Sequence, residues 1–309
     1  MKTTIKILSV ILATLMLTSC HLVYIPNEIE NIPDPKEDVR QGFDFTLENY
    51  PQMGGSLANL PLGEAVTATV LGIDRDKANE LIKFEGSTTD NYKALADGVF
   101  DIILAYEMSE EAKAYLEEKN VELEMTPIGV DALVFICSLE NKLEGITSQQ
   151  VEEIYKGNIT NWSEVGGEDH AIIPYQRNKD SGSQTLFDKL INLGDELMEA
   201  PADIKIGSMI GLLEAVADYE NSKDALGYTV YYYLTNMEKD KLDTSKLLSI
   251  DGVAPTDQSI ASGEYPYVND FYVIIRKDAP ENSPERILYN WICSEQGKQL
   301  ARNENYITK

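Results

Sequence analysis

The stretch Ala171-Ile172-Ile173-Pro174-Tyr175-Gln176-Arg177-Asn178-Lys179-Asp180-Ser181-Gly182-Ser183-Gln184-Thr185-Leu186-Phe187 reads as three pieces in succession. Ala171 to Tyr175 is a short apolar strand, and Arg177 to Ser181 is polar and turn-forming. Gly182 then opens a helical pattern that runs through Leu193. A helix that starts straight out of a strand and turn exposes unpaired N–H groups and a partial positive charge of about +0.5. Gly182 permits close approach, the Ser181 and Ser183 hydroxyls add donors, and Arg177 adds a planar guanidinium suited to an oxyanion. Together they describe an anion site, although Ser181 is also an ordinary N-cap and Arg177 an ordinary partner for Asp180.

The same chemistry recurs upstream. Met53-Gly54-Gly55-Ser56 precedes a helix that includes Ala65 to Leu71, and Phe84-Glu85-Gly86-Ser87-Thr88-Thr89 precedes a helix holding Tyr92 to Leu95. Between and beyond them, Val99 to Ala105 and Val130 to Ser138 read as buried strands, and Glu110 to Asn120 and Ser148 to Tyr155 as helices. This alternation predicts an α/β fold with a largely parallel sheet. Tyr228 to Tyr233 reads as an aromatic core strand, and Asp251-Gly252-Val253-Ala254-Pro255-Thr256-Asp257 as a turn rather than a calcium loop.

Composition removes several alternatives. The 309 residues carry 26 Lys plus Arg against 52 Asp plus Glu, a net charge of −26, with no basic run for a nucleic-acid backbone or an anionic membrane surface. Only His21 and His170 are available, so His-centred metal sites and Ser-His or Cys-His catalysis are not expected. No Gly-x-Ser-x-Gly elbow or phosphate-loop lysine pattern occurs, and helix-start serines such as Ser183 are expected to donate hydrogen bonds rather than attack. No catalytic residue, cofactor or metal is assigned.

The N-terminus sets the compartment. Lys2 and Lys6 precede an apolar run of 11 residues, Ile7 to Leu17, too short to span a bilayer but suited to a signal peptide. Leu17-Thr18-Ser19-Cys20 resembles a bacterial lipobox, which implies cleavage after residue 19, lipidation of Cys20 and an extracytoplasmic protein anchored to the cell membrane. Loss of Lys2 and Lys6 takes the net charge from −26 to −28. Residues 20–48 read as the lipidated cysteine and a spacer with Pro26, Pro33 and Pro35. Cys137 and Cys293 lie in apolar contexts and are expected as free thiols rather than a bridge.

The block from Ile146 to Trp162, with Gly166-Gly167, Arg177 and Ser181-Gly182-Ser183-Gln184-Thr185, resembles the phosphate-binding lipoproteins of bacterial ABC phosphate transporters. Gly55-Ser56, Gly86 to Thr89, Asp131 to Phe135, Ala225 to Tyr228 and Gly263 to Pro266 extend the likeness over roughly residues 50 to 309. The resemblance implies a two-lobed periplasmic-binding-protein-like (type II) α/β fold with the ligand between the lobes. Residues 49–130 and about 240–309 would form lobe 1, and residues 131–239 lobe 2. It implies phosphate contacts at Gly55, Ser56, Ser87 or Thr88, Arg177, Ser181, Gly182 and Ser183, and an acceptor for the phosphate proton at Glu107 or its neighbour Tyr106. The expected partners are inorganic phosphate, an ABC permease and the membrane through the lipid anchor, with the chain a monomer. Another tetrahedral oxyanion (sulfate, molybdate or tungstate) would suit the same donors, and a surface lipoprotein acting as sensor or adhesin would keep the fold without the ligand.

Overall fold

The computed structural model describes residues 43–201, 205–217 and 223–308, all within one compact unit, Pro33–Lys309. The signal segment, Cys20 and most of the spacer lie outside the described residues. The chain enters through β1 (Met53–Gly55), α1 (Leu60–Leu71), α2 (Arg75–Leu81), α3 (Thr88–Ala96), β2 (Ile102–Ala105) and α4 (Glu110–Lys119). Then come β3 (Leu123–Ser138), β4 (Gly145–Ile146), α5 (Ser148–Tyr155), β5 (Ile173–Pro174), β6 (Gln176–Arg177) and α6 (Gly182–Ile191). The remainder is β7 (Lys205–Ile206), α7 (Met209–Ala217), β8 (Ala225–Val230), β9 (Ser245–Leu247), β10 (Ser249–Ile250), α8 (Asp257–Ser262), β11 (Val268–Arg276), α9 (Pro284–Cys293), α10 (Glu295–Asn303) and β12 (Ile307–Thr308).

The main sheet runs β1-β2-β11-β3-β8-β5, with β12 and β9 also pairing β3. It falls into two halves joined by the 16-residue β3. Residues 123–132 of that strand pair with β11, and residues 133–138 pair with β8 and β9. The first half, β1, β2, β11, β12 and the start of β3, carries α1 to α4. The second, β5, β8, β9 and the end of β3, carries α5 to α7. Strand direction departs from the sequence expectation. β1–β2 and β5–β8 are parallel, but β11 runs antiparallel to both β2 and β3, and β8, β9 and β12 run antiparallel to β3. Alternating patterns say where strands occur, not which neighbours they choose, and here the outgoing and returning strands lie side by side.

Two boundaries also move. Residues 240–250, expected in the first lobe, contribute β9 to the far half of β3 and β10 to β4, so the return to the first half follows Ile250. The aromatic run stops being strand at Val230, and Tyr231 onward is helical. The Asp131 carboxylate accepts from the Tyr232 amide at 3.1 Å, which helps fix the turn there. Asp251 and Gly252 form the expected turn at φ 51° and 81°. Cys137 and Cys293 are unpaired, and burial pushes the Cys137 thiol up to about 12, leaving it an inert core group. Among the described residues no helix is long and apolar enough to cross a membrane.

Candidate anion site in the cleft

Strand ends from both halves converge on one cleft of about 430 Å³. The first half contributes Ser56 after β1, Tyr106 after β2 and the Gly86 to Thr88 turn that starts α3. From the second half come Arg177 at the end of β6, the Ser181 to Ser183 turn that starts α6, the Gly207 to Met209 turn that starts α7, and Val230 at the end of β8. Ligands of open α/β folds bind beyond the carboxyl ends of strands for this reason: helix starts gather there.

The second half is rigidly built. Ser181 caps α6, its hydroxyl accepting from the Gln184 amide at 3.2 Å, so its own hydrogen remains free to donate. The helix is pinned by its apolar face: Phe187 stacks on Tyr228 at 4.8 Å and meets Tyr155 edge-on at 4.7 Å, contacts worth about 0.5–1.5 kcal/mol each beyond burial. Tyr228 also donates to Gln184, linking β8 to the first turn of α6. Arg177 is held by the pairing of β6 with β7 and is 6% exposed. Its Nε donates to the Ile206 carbonyl at 3.0 Å, and its terminal nitrogens donate to the Ser183 hydroxyl at 3.2 Å and the Gly207 carbonyl at 3.3 Å. Among the described residues no carboxylate lies within ion-pair distance of it, and desolvation lowers its pKa from the ordinary value. A buried cation surrounded only by neutral acceptors is costly unless an anion completes it.

The first half offers hydroxyls. Ser56 and Thr88 are hydrogen-bonded to each other at 3.0 Å, and the Ser56 amide donates to the Leu104 carbonyl at 2.9 Å. Ser87 lines the cleft but is occupied: its hydroxyl donates to Asp90 at 2.8 Å and accepts from the Asp90 amide at 3.0 Å. Of the expected pair, Thr88 therefore carries the usable hydroxyl. Gly182 faces Thr88 so closely that a Cβ there would sit 2.4 Å from its Oγ1, so glycine is what lets the two halves meet.

Two expected residues lie elsewhere. Gly55 does not line the cleft. Its role is packing, since a Cβ would meet the Leu104 carbonyl oxygen at 2.1 Å. Glu107 also faces away. Its carboxylate accepts from Lys189 at 2.7 Å and Tyr272 at 2.8 Å, beside a separate cavity of about 620 Å³. Burial pushes Glu107 up, but the hydrogen bonds from Lys189 and Tyr272 outweigh it and hold the carboxyl below its ordinary value. Sequence reading missed Ser208, whose hydroxyl caps α7 by accepting from the Gly211 amide at 3.1 Å, and Asp131, buried behind Tyr106. Ser208 follows a two-residue strand without periodicity and left no local signal; Asp131 belonged to the Asp131 to Phe135 likeness, but its partner Tyr106 is 25 residues away, so the pairing was not legible. No group of three or more His, Cys, Asp or Glu placed to hold a metal ion occurs among the described residues.

Residues 82–295 match the family described as the PBP superfamily domain. The phosphate-binding protein PstS of Bacillus subtilis (strain 168) is 28% identical over 69% of this chain, an alignment that spans 66% of that protein, just under two thirds. A PstS from Pseudomonas aeruginosa (strain PAO1) is 24% identical over 85% of this chain and 87% of its own length. Two solved structures share the fold. One is a Clostridium perfringens protein with bound phosphate (TM-score 0.67, 22% identity, 84% of this chain and 100% of that one). The other is an ABC-type phosphate transport receptor from Vibrio cholerae (TM-score 0.62, 22% identity, 84% and 100%).

Proposed function

The chain belongs to the PBP superfamily, and from that premise we propose that it captures inorganic phosphate outside the cytoplasm and delivers it to an ABC importer. The observation that carries the reading is Arg177, a buried guanidinium without a carboxylate among the described residues, in a cleft lined with hydroxyls and helix starts. The relatives named as phosphate-binding proteins point the same way. In this reading Arg177, the Ser181 hydroxyl and the Gly182 and Ser183 amides hold the anion from the second half, while Ser56 and Thr88 hold it from the first. Contacts from both halves reward the closed state, so the ligand draws the lobes together. Ser183 accepts a hydrogen bond from Arg177 and acts as a positioned donor, so the protein binds phosphate without chemistry. Cys20 would carry the lipid anchor, a permease would be the partner, and the lobes would work within one monomer.

One observation favours the second reading, another tetrahedral oxyanion. Glu107 is turned away from the cleft, so the expected carboxylate acceptor for a phosphate proton is not where the resemblance put it. Calorimetric titration of the mature protein with phosphate, sulfate and tungstate decides between the two. Tighter binding of phosphate is expected, and tighter binding of sulfate or tungstate overturns the phosphate reading.

A further inference from the structure

The cleft is larger than the anion its donors are built to hold. Four oxygens at about 30 Å³ each, the share of a water, fill on the order of 120 Å³. The cleft has about 430 Å³, within the range of about 300–1,000 Å³ usual for sites that take organic ligands. This is not the gap between lobes standing apart, because the halves already meet beside it. Gly182 packs against Thr88, and Lys189 of α6 donates to Glu107 at 2.7 Å and to Asn269 of β11 at 3.0 Å. Part of the remaining wall is apolar and adjoins the donors in sequence. Leu57 follows Ser56 from the first half, Met209 follows Ser208 from the second, and Val230 ends β8. Leu57 is 37% exposed and Met209 is half-buried, so both keep apolar surface uncovered. An inorganic oxyanion offers these side chains no carbon to bury, whereas a methionine adapts readily to an apolar ligand group. The fourth oxygen of a bound phosphate is also not claimed by the carboxylate expected for it, since Glu107 is bound to Lys189 and Tyr272. In their doubly charged forms a P–OH and a P–OR group present the same tetrahedron and the same charge to Arg177 and the helix starts. Asp90 and Asp180 also line the cleft, which disfavours a further negative charge on the organic group and favours a neutral one.

We propose that the cleft also takes phosphate monoesters of small neutral alcohols, with the phosphoryl head in the anion site and the carbon chain against Leu57, Met209 and Val230. The inference rests on the anion site proposed above and extends its ligand class from inorganic phosphate to organic phosphates. The ester is held as phosphate is held, and no bond is made or broken. Leu57 and Met209 then set specificity: they act on the carbon chain, while Arg177 and the hydroxyls act on the head. Each methylene fully buried between them adds up to about fourfold in affinity.

The test is calorimetry of the mature protein and of its double variant Leu57→Ala, Met209→Ala with inorganic phosphate and with methyl, ethyl and propyl phosphate. At slightly alkaline pH all four are mainly dianions, so charge is held constant along the series. In the wild type ethyl phosphate should bind within about tenfold of phosphate, and affinity should rise about two- to fourfold per methylene from methyl to propyl phosphate. In the double variant that rise should be lost, propyl phosphate binding no more tightly than methyl phosphate. A wild type that binds phosphate but holds ethyl phosphate more than about tenfold more weakly overturns the proposal, and so does an affinity that stays flat or falls along the series. A rise that survives in the double variant overturns the assignment to Leu57 and Met209, since a merely structural change moves every ligand together. If thermal melting shows the variant unfolded, the wild-type series decides. Failure of the anion site looks different: neither phosphate nor any ester then binds, and this inference falls with it.

Discussion

Two cavities lie where the halves of the molecule meet, and their charges are handled in opposite ways. The cleft around Arg177 holds a buried cation whose hydrogen bonds all go to neutral acceptors, whereas the cavity around Glu107 holds Lys189 already bound to the Glu107 carboxylate at 2.7 Å. The carboxyls behind them diverge accordingly. Desolvation raises Asp131 to about 6 despite donors from Tyr106, Ala132 and Tyr232, while Lys189 and Tyr272 outweigh burial at Glu107 and lower it. An anion site is thus marked by a charge left uncompensated, not by the number of charges present.

The largest effect should come from removing that charge. Arg177→Ala is expected to weaken phosphate by roughly 2–5 kcal/mol in calorimetry, because the neutral donors that remain cannot replace a buried charge-assisted hydrogen bond. Next is Asp131. Its native value of about 6 lies above the ordinary 3.8, so the folded state binds the proton more tightly than the unfolded one. Stability from this group is present below about pH 4 and is lost as pH rises through about 6, by up to about 3 kcal/mol. Urea unfolding across that window should show this fall in the wild type and a flatter profile in Asp131→Asn. Gly182→Ala brings a methyl within 2.4 Å of Thr88 Oγ1 and should weaken phosphate by about 1–3 kcal/mol through poorer closure, visible in titration and as a more open form in solution scattering. The smallest change is expected at the compensated cavity. Lys189→Ala removes a partly exposed ion pair and should shift phosphate affinity by less than about 1 kcal/mol. A large effect there, or none at Arg177, would reverse the comparison.

What the sequence revealed follows the reach of its signals. Helix starts are local, so α5 at Ser148–Tyr155 and the Ser181 cap were legible from neighbouring residues alone. The first part of β3 was not. Glu122-Leu123-Glu124-Met125-Thr126 does alternate polar and apolar residues, but it is short and runs into Pro127, which argues against a strand; pairing with β11 carries the strand through, with the register shifting beside Pro127. Most of the anion-site candidates do converge on one cleft, because each marks a turn at the end of a strand. Glu107 did not, since which way a side chain faces past the end of β2 depends on Lys189, 82 residues away. The Tyr106–Asp131 pair was invisible for the same reason: it exists only when β2 and β3 are brought together.

The division of the sheet also has a consequence for the order in which the molecule can be built. The second half draws its strands from a continuous stretch, residues 133 to 250, so its pairings are all available once that stretch has emerged. The first half begins at Met53 but needs β11 at Val268–Arg276 and β12 at Ile307–Thr308. Its sheet closes through pairs such as Ala105 with Tyr272 and Val130 with Ile307, far apart in sequence, and loop closure over such distances is slow. During vectorial synthesis the Arg177 half is therefore complete first, and the half bearing Ser56 and Thr88 waits for β11 and β12.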